Sequence, residues 1–229
     1  RVLVGFEASR AHYDDPDKVI VTGTPVRADF FRYTKAQARQ QLGLNDDRPV
    51  LLSYWGSLGA RVMNDHTVEL MELEQKVGIP FHHIHGAGRD YQRVMEALDK
   101  RGVDAREGDL QVREYIYDMP LVMAAADVVL CRAGASTISE LTAIGKPSIL
   151  VPSPNVTANH QEKNARVLEA QRGALVLLEK DCTGAVLYDT VCALLGDAKR
   201  REDMARALNA AAVPDASETI YQVLKDLMK

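Results

Sequence analysis

Cysteine is scarce: Cys131, Cys182 and Cys192 are odd in number, widely spaced and form no CxxC pair. Neither a disulfide framework nor a thiolate zinc site is expected, and reduced, packed thiols in a cytosolic protein are. Positive charge is in deficit too. The formal net charge is -4 and no Lys or Arg run interrupts it, which excludes the basic field that a nucleic-acid partner needs. No apolar run approaches the roughly 18 residues of a membrane span, and no signal peptide opens the chain. The first residue is Arg1 rather than Met, so the chain is expected to be processed or to belong to something longer. Internal repeats and low-complexity tracts are lacking. So are the Walker lysine loop, the GxSxG elbow, the HExxH pair and any cysteine spaced to a histidine, which leaves no evident nucleophile or general base. The run His82-His83-Ile84-His85 has no carboxylate or cysteine at ligand spacing. Strand-end polarity explains it better than a metal, and no metal or cofactor is expected.

What is present is an ordinary globular composition, 46% hydrophobic and 26% charged over 229 residues, enough for a sizeable core. Apolar runs of strand length alternate with helical periodicity. Strands are predicted over 2–6, 18–22, 50–54, 81–85, 111–115, 127–131, 148–151 and 174–178, with helices between them over 35–42, 60–77, 90–101, 119–125, 136–144, 159–171 and 185–195. Two more helices, 198–212 and 217–228, close the chain. The last carries Ile220, Val223, Leu224 and Leu227 on one face after Ser217 as N-cap, a face expected to be buried. Alternation of this kind implies right-handed crossovers and a doubly wound parallel α/β sheet of Rossmann-like type.

In such sheets ligands lie beyond the carboxyl ends of the strands. Four strand-end loops are unusual. Gly56-Ser57-Leu58-Gly59-Ala60 opens a long helix; it reads either as a diphosphate loop or as a plain turn with a serine cap. Gly134 and Ala135 form a second tight turn, with Ser136, Thr137 and Ser139 able to cap the next helix. Helix N-termini carry about half a positive charge, so two ends facing one crevice would hold a diphosphate without a metal. Glu140, a turn further on, either complements the helix dipole or accepts hydrogen bonds from a ribose diol. In the third loop Asn159, His160, Gln161 and Asn164 place four polar side chains at one helix start, facing the same side. Arg27 follows Thr24-Pro25-Val26, a rigid turn able to aim it at phosphate or sugar oxygens.

The stretches "VTGTPVRADFF", "GSLGAR", "ADVVLCRAGASTISELTAIGKPSILVPSP" and "ANHQEKNA" together resemble, in order and spacing, the carboxyl-terminal half of the MurG family. The resemblance runs from about Phe6 to Asp181. It implies the carboxyl-terminal, donor-binding domain of a two-domain GT-B glycosyltransferase. It also implies inverting transfer of N-acetylglucosamine from UDP-GlcNAc to lipid I, undecaprenyl-diphospho-MurNAc-pentapeptide, giving lipid II for the cell wall. Residues 1–26 would be the end of an acceptor domain and linker, 27–213 the UDP-GlcNAc domain, and 214–229 a helix returning to the first domain. That first domain would supply the catalytic base and the contact with lipid I and the membrane, making the enzyme cytoplasmic and peripheral on the inner face of the bacterial plasma membrane.

By the same resemblance, Arg27 lies near the donor's diphosphate or sugar, and the loop of Gly56, Ser57 and Gly59 binds the diphosphate. The backbone of Ile116 holds the uracil. Gly134, Ala135, Ser136 and Thr137 meet the phosphates, Glu140 the ribose hydroxyls, and His160, Gln161 and Asn164 the sugar. The sequence departs from the family at Trp55, where glycine is common, at Leu58, where glutamine is common, at Ser136, where a larger apolar residue is frequent, and at Ile84-His85. Two alternatives remain open: a glycosyl-diacylglycerol synthase of the same superfamily, and a nucleotide-sugar-binding subunit that acts with a separate partner chain.

Overall fold

A computed structural model of the chain describes residues 1–56, 60–213 and 215–228. Among these residues β1 (Val2–Val4) and β2 (Val19–Val21) pair in parallel as a small sheet of their own. The main sheet takes the aliphatic runs that follow: β3 (Val50–Tyr54), β4 (His82–Gly86), β5 (Leu110–Arg113), β6 (Val128–Cys131), β7 (Ser148–Leu150) and β8 (Ala174–Val176). All six are parallel, in the order β5-β4-β3-β6-β7-β8. Helix α1 (Lys35–Gln41) precedes β3. Each strand then feeds one helix: α2 (Arg61–Lys76), α3 (Tyr91–Asp99), α4 (Met119–Ala125), α5 (Ala135–Ala143), α6 (His160–Ala170) and α7 (Gly184–Gly196), with α8 (Ala198–Ala211) and α9 (Ala216–Leu227) last. The doubly wound α/β sheet read from the alternation is therefore present, and its strand order reverses between β3 and β6.

Successive strand residues point to opposite faces, and both faces are covered. Leu51, Val128, Leu130 and Ile149 pack under α2 and α7 with Met63, Leu70, Leu187 and Val191. Val50, Leu52, Val129 and Cys131 pack with Val122, Ile138 and Leu141 of α4 and α5 on the other side. Local chemistry fixes the ends. Thr34 accepts from the amide of Gln37 at 3.3 Å while the Gln37 side chain accepts from the amide of Thr34 at 3.0 Å, a capping box that starts α1. At the start of α7 the Gly184 amide donates to Glu69 Oε2 at 2.9 Å. A Cβ at position 184 would land on the Cβ of Glu69, so only glycine lets α7 approach α2 this closely.

Two expectations change. Helix α9 is preceded by Asp215 in the left-handed conformation (φ 55°), so Ser217 sits inside the first turn and does not cap. Its apolar face is only partly covered: Ala216 is buried, Ile220 and Val223 are half-buried, and Leu224 and Leu227 remain 51% and 60% exposed. No helix among the described residues is long and apolar enough to cross a membrane.

Candidate functional site

Tyr54 and Cys131 stand opposite each other at the carboxyl ends of β3 and β6, the two strands between which the sheet reverses. Ligand crevices of doubly wound sheets open there. The chain leaves β3 through Trp55 and Gly56, whose φ of 87° and open surroundings suit glycine. The expected diphosphate residues Ser57 and Gly59 lie outside the described residues.

Beyond β6, Gly134 is extended and α5 begins at Ala135 with no side chain capping it. Its first amides, those of Ala135, Ser136 and Thr137, have no carbonyl one turn back to bond. Ala135 and Ser136 are exposed and Thr137 half-buried. The hydroxyls predicted to cap do not: Ser139 donates back to the Ala135 carbonyl at 3.0 Å, because inside a helix that carbonyl is the acceptor within its reach. The amides at this helix end therefore stay available, as an anion site requires.

One turn along α5 the half-buried Glu140 lies within the electrostatic reach of Arg27 and Asp29. Burial raises the Glu140 carboxyl above its ordinary value; the Arg27 charge opposes that rise and Asp29 adds to it. Arg27 is largely exposed, 3.6 Å from Asp29 through Nε and with its guanidinium 5.4 Å from the centre of the Phe30 ring. This single grouping brings a cation, a carboxylate and a bare helix end to one rim.

The polar cluster at the start of α6 divides, correcting the reading that all four face one way. Gln161 Oε1 accepts from the amides of Ala133 at 3.3 Å and Ser153 at 3.0 Å, stapling the loops after β6 and β7, and Asn164 Nδ2 donates to the Ala133 carbonyl at 3.3 Å. Asn159 turns to Glu162 at 2.6 Å, and exposed His160 keeps its Nδ1 3.0 Å from the Thr157 carbonyl. Successive residues of a helix point about 100° apart, which parts His160 from Gln161. On the other flank Ile116 is buried beneath Gly86, where a Cβ would meet its Cδ1, while Tyr115 and Tyr117 lie with ring centres 5.7 Å apart at the surface.

Arg132 escaped the sequence reading. Arg132 donates to the carbonyls of Val151 and Pro152 at 3.2 and 3.3 Å, pairs with Glu179, and lies 5.8 Å from the centre of the buried Trp55 ring. Trp55 Nε1 in turn donates to Thr67 at 3.0 Å. An arginine directly after a buried strand was the available signal. Burial also raises the Cys131 thiol to about 12, so it is no nucleophile.

The histidine run is not polarity at a strand end: His82, His83 and His85 are all buried in β4. His82 lies 2.7 Å from Asp46 and 3.0 Å from Asp109, a grouping close enough to consider for a metal. Arg48 already pairs with both carboxylates at 2.6 and 2.7 Å, and it holds the Asp46 carboxyl, together with His82, well below the ordinary range. The group reads as a charge cluster at the amino-terminal end of the sheet, away from the crevice.

The model of the glycosyltransferase family 28 C-terminal domain matches residues 51–220, across the whole main sheet. The chain belongs to that family. Family 28 relatives named UDP-N-acetylglucosamine–N-acetylmuramyl-(pentapeptide) pyrophosphoryl-undecaprenol N-acetylglucosamine transferase include one from Acetivibrio thermocellus, 39% identical over 230 residues. Another, from Caldanaerobacter subterraneus, is 38% identical over 226 residues, and the two alignments span 100% and 99% of this chain. The chain covers only 61% of the length of either relative. Among solved structures, MurG of Acinetobacter baumannii superposes with a TM-score of 0.71 at 22% identity over 90% of this chain and 57% of that one. A UDP-GlcNAc 2-epimerase from Neisseria meningitidis gives 0.66 at 19% identity, over 98% and 60%. At such identities the two structures speak for the GT-B-like fold. The family 28 membership bears out the resemblance read from the four motifs.

Proposed function

We propose that this chain is the donor-binding portion of a glycosyltransferase that moves N-acetylglucosamine from UDP-GlcNAc to lipid I, giving lipid II. The observation that carries this reading is the uncapped end of α5 at the strand reversal, with Glu140 and Arg27 beside it. In this role the amides of Ala135, Ser136 and Thr137 receive the diphosphate, with Gly56, Ser57 and Gly59 as its second set of partners. Glu140 accepts from the ribose hydroxyls, and the Ile116 peptide meets the uracil. Gln161, its carbonyl already committed to two amides, offers its NH2 group to the sugar, with Asn164 holding the loop and His160 at the rim.

The chemistry follows from that placement. An acceptor hydroxyl attacks the anomeric carbon from the face opposite the diphosphate, a C–O bond forms as the bond to UDP breaks, and the configuration inverts. Charge grows on the departing diphosphate, where the helix amides and Arg27 stabilise it. The acceptor, its base and the membrane contact belong, on this reading, to the part of the relatives' length that this chain does not span. The enzyme would act on the cytoplasmic face of the membrane.

Calorimetric titration with UDP-GlcNAc, UDP-glucose and GDP-mannose tests the site. Preference for UDP-GlcNAc, abolished in Glu140→Ala, is expected; equal heats for all three would remove the donor assignment.

A further inference from the structure

Tyr54 ends β3 opposite Gly86 of β4 and Cys131 of β6. It shares a strand face with Leu52, so its ring turns toward α4 and α5 and packs against the core beneath them. A Cβ on Gly86 would come within 3.4 Å of the Tyr54 Cβ and 3.2 Å of Ile116 Cδ1, so these two side chains flank the same glycine. On its other side the ring reaches the first turn of α5. Tyr54 as a whole is half-buried, but its hydroxyl oxygen is sealed from solvent and has no hydrogen-bond partner. Burial first, then Cys131 and Glu140, raises this hydroxyl well above its ordinary value, so it keeps its hydrogen at neutral pH.

A hydroxyl left unmet in the interior is costly, and its neighbours decide what can meet it. The side chains of Thr137 and Cys131 lie beside it. Cys131 offers a sulfur, a weak acceptor; Thr137 offers an oxygen. Further along α5, Ser139 and Thr142 donate back to the carbonyls of Ala135 and Ile138 at 3.0 and 2.7 Å. Thr137 stands too near the helix start for that. The carbonyl four residues before it, that of Ala133, precedes the helix and accepts from Asn164. Two hydroxyls therefore meet with two hydrogens between them. If Thr137 donated inward, the Tyr54 hydrogen would face a sealed interior; if Tyr54 donates, the hydrogen of half-buried Thr137 is free to turn to the crevice.

We infer that Tyr54 is the positioning residue for Thr137: its hydroxyl donates to Thr137 Oγ1 when an anion occupies the end of α5, and this turns the Thr137 hydrogen onto that anion. Without the anion the two oxygens lie side by side with no directed bond, because nothing in the crevice fixes the outer hydrogen. An acceptor beyond Thr137 supplies that preference, and the sealed hydroxyl is satisfied at the same moment. The helix end thereby adds a side-chain donor to its three free amides. That the anion is the diphosphate of a nucleotide sugar rests on the function proposed above.

A double-mutant cycle on the whole chain tests this, with Tyr54→Phe, Thr137→Val and the two combined, each titrated with UDP-GlcNAc and unfolded in urea. Tyr54→Phe removes a hydroxyl that has no partner in the free protein, so its unfolding midpoint should be no lower than that of wild type. Its Kd should nevertheless rise about fivefold, the order of one neutral hydrogen bond. Thr137→Val should raise Kd about tenfold, the low end for a bond to a charged group, and adding Tyr54→Phe to it should raise Kd no further. A lowered midpoint in Tyr54→Phe would mean that the hydroxyl is already satisfied without a ligand, and would overturn the inference. So would a wild-type Kd in Tyr54→Phe, or two effects that simply multiply in the combined variant. Wild-type protein that fails to bind UDP-GlcNAc would remove the donor assignment and this inference with it, whereas normal wild-type binding with an uncoupled cycle removes this inference alone.

Discussion

Gln161 separates stability from binding more cleanly than any other residue of the site. Its one carbonyl oxygen satisfies the amides of Ala133 and Ser153. Gln161→Leu leaves both without an acceptor in a half-buried place, and at about 1–2 kcal/mol for each such group the protein should lose roughly 2–4 kcal/mol. Gln161→Glu keeps an acceptor at the same position and should unfold within about 1 kcal/mol of wild type. The same variant sets a negative charge beside the proposed diphosphate. A charge within ~8 Å of one phosphate, at an effective dielectric constant near 20, costs about 2 kcal/mol, or roughly thirtyfold in Kd. Urea unfolding and calorimetric titration with UDP-GlcNAc measure the two effects on the same samples. Unaltered affinity in Gln161→Glu, or wild-type stability in Gln161→Leu, would refute the reasoning.

Gly184→Ala should destabilise the fold by about 1–3 kcal/mol, because the added methyl meets Glu69 and displaces the bond from the Gly184 amide; an unfolding midpoint equal to wild type would contradict the close approach of α7 to α2. His85 contributes to the acid limb. Its folded pKa, about 3, lies below the ordinary 6.5, so the unfolded chain binds the extra proton between those values. The contribution is fully present above about pH 6.5 and is lost as pH falls toward 3. Unfolding free energies at graded pH should drop across that window, and His85→Gln should flatten the drop.

Much of the fold was legible because its elements follow their own periods. The aliphatic runs of β3 and β6 read as strands, and the strand–helix alternation implied the doubly wound order. The small residues of Gly134-Ala135 pointed to the helix end. Side-chain pairing was not legible. Whether Ser139 caps or bonds back, and whether Gln161 and His160 share a direction, depends on where a helix begins to within one residue. Nothing in the run His82 to His85 announces that Glu74 and Asn64 of α2 will lie 3.0 Å from the His83 ring and 3.1 Å from the His85 ring. The face of α9 shows the converse: its period predicted the helix correctly, but period carries no information about what covers Leu224 and Leu227.

The most direct measurement is the structure of the protein with UDP-GlcNAc bound. The diphosphate oxygens should lie within hydrogen-bonding distance of the Ala135, Ser136 and Thr137 amides, with the ribose hydroxyls on Glu140. A nucleotide lodged away from the β3–β6 reversal, or held at its phosphates only through a divalent ion, would contradict it.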